Sequence, residues 1–200
     1  MWLCAQRWAL RCALSLVIIA GATGCPSDPY DPDTWIKKLE DPESKADLDQ
    51  GVKKLVELHD PKGIPALGKV WEKFRRSDML QGMVTLAEGY TDSDGKVHGP
   101  YWDKAVPFLV TALQDFDLSD ARSIEQARAA AMALGEAKDP GTVQELVKAS
   151  TRSMPKLHPG QNARIAAIRA LGGFPGDQRA ADTLIKILET EDDNSLPQAR

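Results

Sequence analysis

The sequence predicts an all-α protein, an α-solenoid of about four stacked helix pairs with a loop insertion in the second. Apolar residues recur at helical spacing from Thr34 onward, and one segment pattern returns four times in register. The chain ahead of this region reads as an export signal and a polar spacer, so the solenoid is the folded part.

Arg7 and Arg11 precede an uncharged run from Cys12 to Ala22, and small residues lead from it into Cys25. This is the charged region, apolar region and cut site of an export signal, and the apolar run is too short to span a bilayer comfortably. Residues 1–24, with Ala22-Thr23-Gly24-Cys25 at the cut, resemble a bacterial lipoprotein signal. Ala22 stands where that family usually has Leu. The resemblance implies that Cys25 is lipidated at its thiol, becomes the new N-terminus and is acylated again. Two acyl chains are what stable anchoring takes, since one binds only marginally. An ordinary secretory signal cut nearby is the competing reading. Residues 25–33 follow, with Pro26, Pro29 and Pro32 among Asp28, Asp31 and Asp33. They read as a stiff, solvated tether, and nothing in them fixes the aspartates for a metal.

The repeat is clearest when four segments are set at one leucine: Leu55, Leu86, Leu134 and Leu171. Leu55 to Leu67 lies over Leu134 to Leu146 without a gap, sharing Asp60-Pro61 with Asp139-Pro140. Val52, Met83, Ala131 and Ile168 stand three residues before each marker. Each unit is expected to be two helices around a tight turn. The first carries residues such as Leu48, Val52 and Leu55. The second carries Ile64, Leu67, Val70, Trp71 and Phe74 in one copy and Val106, Leu109, Val110, Leu113 and Phe116 in another. Asp-Pro supplies a capping carboxylate and a preset φ, and Pro65 and Pro107 are placed near the start of the second helix. Gly135 and Gly172 suit close helix packing or a chain reversal. The units run over about 41–75, 76–118, 119–153 and 158–190 within a solenoid of 34–200. Ser195 to Arg200 lies over Ser123 to Arg128, so residues 194–200 read as the opening of a further unit and the natural protein is expected to continue.

These units, with Leu-Gly, Asp-Pro and Val/Ile-Pro-x-Leu, resemble HEAT repeats, particularly the short bacterial variety also seen in phycobilin lyases. The resemblance covers about Asp41 to Glu189. It implies a curved stack of helix pairs that holds protein partners on its surface. The long second unit and the Gly172-Gly173-Phe174-Pro175 turn depart from a uniform repeat.

All three cysteines lie in the first twenty-five residues, so the exported domain is expected to hold by its core without a disulfide. Removing Arg7 and Arg11 from 25 basic residues leaves 23 against 29 acidic, a net charge of −6. That balance lacks the basic footprint of a nucleic-acid binder. Thr91 to Trp102 interrupts the second unit. Asp92, Asp94 and Asp103 superficially suit a calcium loop, but Lys96 and Val97 occupy an acidic and the glycine position. Asp94-Gly95 is a turn in a protruding loop or hairpin. His98, Tyr101 and Trp102, with Tyr90 at the other root, are the candidate partner-binding cluster; the competing reading is that the aromatics pack the loop roots. His59, His98 and His158 are far apart in sequence, none is followed by Glu, and no second histidine stands at ligand spacing. No metal, cofactor or catalytic residue is expected. Trp71 and Phe74 belong to the apolar stripe, and Lys53, Lys54, Lys73, Arg75 and Arg76 form a solvated basic face.

The expected function is a lipoprotein of the bacterial envelope, tethered to a membrane by Cys25 and serving as a protein-binding or assembly scaffold. A lyase-type enzyme of the phycobilin-lyase class and a structural envelope spacer are the alternatives.

Overall fold

The computed structural model describes residues 28–153 and 158–190. The lipidation site Cys25, the signal, and residues 194–200 with the expected further unit lie outside the described residues. Among the described residues are nine α-helices and one two-stranded hairpin.

Helix α1 spans Pro32–Glu40. Its cap is Asp31, whose carboxylate accepts the Asp33 N–H at 3.0 Å, and Pro32 occupies the first turn where a missing N–H costs nothing. The helix thus starts two residues inside the stretch expected to be tether. Trp35 donates from Nε1 to the Pro29 carbonyl at 2.9 Å, which folds the preceding turn back onto α1.

The four expected units then follow as helix pairs. They are α2 (Lys45–Leu58) with α3 (Gly63–Phe74), and α4 (Ser77–Glu88) with α5 (Trp102–Gln114). Next come α6 (Ala121–Ala137) with α7 (Val143–Ser150), and α8 (Gln161–Leu171) with α9 (Gln178–Thr190). First helices stack on first helices and second on second, giving a two-layer, all-α solenoid. α1 caps the stack by lying against α2 and α3.

The two Asp-Pro turns share one geometry. His59 and Lys138 end their helices in the left-handed region, at φ 52° and 51°. Asp60 Oδ1 then accepts the Lys62 N–H, and Asp139 Oδ1 the Gly141 N–H, each at 2.8 Å. The carboxylate satisfies a donor that has no helical partner, so the chain restarts at once. The fourth unit lacks Asp-Pro, and Asp177 does the same work by accepting the Arg179 N–H at 2.9 Å.

The marker leucines are all interior: Leu55, Leu86, Leu134 and Leu171 are buried, as are Val52, Met83 and Ala131. Ile168 is only half-buried, because Ala167 takes the inward position. Two further expectations are corrected. Phe74 is exposed rather than core, since α3 ends there and the chain turns away. Pro107 lies inside α5 rather than near its start, because that helix already begins at Trp102.

The most extensive packing is between units. Each second helix lies along the first helix of the next unit, α3 on α4, α5 on α6 and α7 on α8, whereas partners within a unit meet less. α6 and α8 approach most closely of all, through Ala127, Ala130, Ala131 and Ala163, Ala166, Ala167, Ala170. A Cβ on Gly135 would lie 2.9 Å from that of Ala170, so only glycine fits there. Gly172, by contrast, is exposed.

Leu134 lies on α6 and is fully buried. Leu134→Ala is expected to cost about 2–5 kcal/mol, a large fraction of the ~5–15 kcal/mol typical of a domain. Urea melts check it: a loss under about 0.5 kcal/mol would remove the marker register.

Candidate functional site

The insertion in the second unit is a small antiparallel hairpin at the end of α4. Strand β1 (Tyr90–Thr91) pairs with β2 (Val97–His98), with Tyr90 opposite His98 and Thr91 opposite Val97. Its foot is tight. Gly89 (φ 82°) and Gly99 (φ 103°) sit where the two strands meet, and a Cβ on Gly89 would lie 2.1 Å from the His98 carbonyl oxygen. No L side chain tolerates both that φ and that approach.

Asp92 organises the turn. Its Oδ1 accepts the N–H groups of Asp94 and Lys96 at 3.0 and 2.9 Å. Its Oδ2 lies 2.8 Å from His98 Nε2. An ionised carboxylate only accepts, so Nε2 carries the proton. The His98 bond, followed by those from the backbone, holds the Asp92 carboxyl below its ordinary value of 3.8. Of the residues once compared to a calcium loop, Asp92 is therefore engaged in the turn itself and Asp103 lies in the first turn of α5.

His98 also stacks on Tyr90, with centroids 4.7 Å apart and planes 8° apart. On its other side Tyr90 stacks on His59, at 4.6 Å and 25°. His59 is the left-handed residue that ends α2, so the stack clamps the second unit's hairpin to the first unit's turn. Sequence distance concealed this: His59 and His98 are 39 positions apart yet flank one ring. The available signal was Tyr90 at the register where the other units have a turn residue.

Of the candidate partner-binding residues, all three are half-buried. Tyr101 and Trp102 pack against the core, and the Tyr101 N–H donates to the Ala87 carbonyl at 2.7 Å. They fix the root of the hairpin, and His98 fixes its side. The exposed apolar residue is instead Val97, at 71 % exposure, beside exposed Lys96, Thr91 and Ser93.

Sequence reasoning also missed Gln126. This buried side chain accepts from Trp71 Nε1 at 3.2 Å and donates to the Arg75 carbonyl at 2.8 Å and Ser77 Oγ at 3.1 Å. It satisfies the backbone of the α3–α4 turn from α6, two units along. Arg75, itself left-handed, lays its guanidinium 4.4 Å over the Trp71 ring.

Four members of the basic run are paired on the surface, and Lys73 lies over the Phe74 ring. Lys53 and Lys54 meet Glu57, Arg75 faces Asp115, and Arg76 bonds both Asp49 and Asp78. Bonded cations lower the pKa of Glu57 (from Lys54), Glu125 (from Arg128), Glu145 (from Lys148) and Asp177 (from Arg179). An apolar groove of about 270 Å³ lies between α6 and α8, floored by Gly135, Ala166, Ala170 and Met132. Among the described residues no group of three or more His, Cys, Asp or Glu is placed to hold a metal ion. Nor is any described helix long and apolar enough to cross a membrane.

Because Asp92 is depressed in the folded hairpin, its contribution is fully present above about pH 4 and is lost as pH falls through the lowered folded value. Asp92→Ala is expected to speed amide exchange at Asp94 and Lys96 while leaving the thermal midpoint nearly unchanged. Hydrogen exchange read by NMR checks this; unchanged protection at both amides would contradict the turn chemistry.

Residues 116–199 match a family model described as HEAT repeats. The match begins at the end of α5 and takes in the third and fourth units, somewhat under half of the chain. No curated protein matches the sequence. The C-terminal units are thus similar to HEAT repeats by sequence; the first two repeat the same helix pairing, and the first shares the third unit's Asp-Pro turn.

Proposed function

We propose that this chain is an exported, lipid-anchored docking module of a bacterial envelope, held to a membrane through Cys25 and offering its solenoid surface to a protein partner. HEAT repeats usually mediate protein interaction, and a stack of helix pairs exposes a long surface rather than enclosing a small substrate. This much is analogy at the level of fold.

The observation that carries the reading is the hairpin. It interrupts the repeat at one place, and insertions in repeats often lie on the binding face. It is seated by the His59–Tyr90–His98 stack, so a partner meets a preorganised element and spends little on ordering it. His98, Tyr101 and Trp102 serve this surface by holding it, and Val97 and Lys96 make the direct contact.

Catalysis of the lyase type draws less support. A general acid working near neutrality needs a raised carboxyl pKa. Among the described residues the displaced carboxyls, Asp78, Asp92, Asp117 and Asp177 with Glu57, Glu125 and Glu145, are all displaced downward.

Two measurements test the two halves. Cys25→Ser in the full chain is expected to abolish incorporation of labelled palmitate and release the product from membranes; processing and retention like the parent's would defeat the anchor. A photoreactive residue at position 97 is expected to capture one discrete protein in membranes, and Lys96→Glu to reduce that capture. A small coloured ligand in its place would favour the enzyme, and no adduct at all the spacer.

A further inference from the structure

We infer that the groove between α5 and α7 is a second docking point, where Arg152 takes a side-chain carboxylate from an acidic segment of a protein partner. The groove has a volume of about 370 Å³. Leu113, Gln114 and Phe116 line one side of it, and Glu145, Lys148 and Arg152 the other. It opens because α5 and α7 lie side by side without the close fit of α6 and α8. The site is separate from the hairpin, which precedes α5, whereas Phe116 follows it. The 13 residues of that helix set the two about 20 Å apart.

Arg152 is the group that points to a ligand. Its guanidinium lies 4.3 Å from the centroid of the Phe116 ring, which is buried beneath it. The stacking holds the planar fork in place before any partner arrives. Among the described residues no hydrogen bond or ion pair engages its N–H groups.

Charge selects the occupant. The carboxylates on either side of Phe116 are turned to other partners. Asp115 faces Arg75 at 4.0 Å, and Asp117 Oδ1 accepts the Ser119 N–H and hydroxyl, each at 2.8 Å. Glu145, across the groove, accepts from Lys148 Nζ at 2.9 Å and from Gln114 Nε2. The groove therefore holds two cations against one carboxylate, and that carboxylate is already bonded, in a chain with more acidic than basic residues. A carboxylate from outside supplies what is missing, and the guanidinium fork accepts it through two parallel hydrogen bonds. A phosphate group is recognised by clusters of arginines, and here there is one. Leu113, Phe116 and Ala149 form an apolar wall beside Arg152, on which an apolar neighbour of the acidic residue can lie. A single ion pair of this kind adds register and specificity to an interface more than affinity.

The test is an NMR titration of the full chain in detergent micelles, read at the Arg152 Nε–H and the Phe116 ring. The probe is the acetylated, amidated dipeptide phenylalanyl-glutamate, with its glutamine counterpart as the uncharged isostere. The acidic dipeptide is expected to shift both signals saturably, and the glutamine counterpart to bind several-fold more weakly. Arg152→Gln is expected to remove the difference between the two dipeptides. Arg152→Lys keeps the charge without the fork and is expected to weaken the acidic dipeptide several-fold. Equal binding of the two dipeptides by the parent chain would overturn the inference, as would the absence of saturable shifts. Inorganic phosphate matching the acidic dipeptide would overturn it by showing a general anion site. Octanoate binding more tightly than the dipeptide would do so by making an acyl chain the occupant. None of these outcomes bears on the hairpin, whose capture experiment is read at position 97.

Discussion

A helix pair with apolar residues on both outer sides cannot hide them alone, and everything else in this molecule follows from that constraint. Each unit buries one side on the unit before it and the other on the unit after. The second helix of one unit therefore packs more closely on the next unit's first helix than on its own partner. Stability in such a stack is close to a sum of unit and neighbour terms, with each end a special case. At the N-terminal end α1 resolves the problem, burying Trp35 and Leu39 against α2 and α3.

Much of this was legible in the sequence, and the reasons are local. Leu55, Leu86, Leu134 and Leu171 announce the register because burial at a fixed point of each unit demands a large apolar side chain there. Asp60-Pro61 and Asp139-Pro140 announce the turns because a carboxylate and a fixed φ are what an abrupt restart requires. The left-handed cap at Lys138 was not legible, since lysine does not favour that region and the following turn imposes it; histidine, as at His59, enters it more readily. Phe74 misled because helical period says nothing of where a helix stops.

The site was harder to read for a different reason. Its geometry joins residues distant in the chain: His59 ends α2, Tyr90 opens the hairpin and His98 closes it. Spacing rules see neighbours on one helix or strand, not rings from three segments meeting face to face. Tyr101 and Trp102 were visible as an aromatic cluster, and the fold half-buries both against the core, while the exposed apolar residue of the hairpin is Val97. Gln126 escaped notice because a buried amide between Ile124 and Ala127 breaks the apolar pattern that marks a core helix, while its real work is to satisfy the turn at Arg75.

The central claim, that units are held by fitted contacts with their immediate neighbours, is tested most directly at Gly135 and Ala170. A double-mutant cycle would compare Gly135→Ala, Ala170→Gly and the pair in urea melts. The cavity on one helix should accept the methyl added to the other, giving a coupling of about 0.5–3 kcal/mol in favour of the double variant. Gly135→Ala paired instead with Gly68→Ala, which meets the Phe108 ring where α3 packs on α5, should be additive. Additivity at Gly135 and Ala170 would contradict the account, because those two helices would then not be in the contact on which the stack depends.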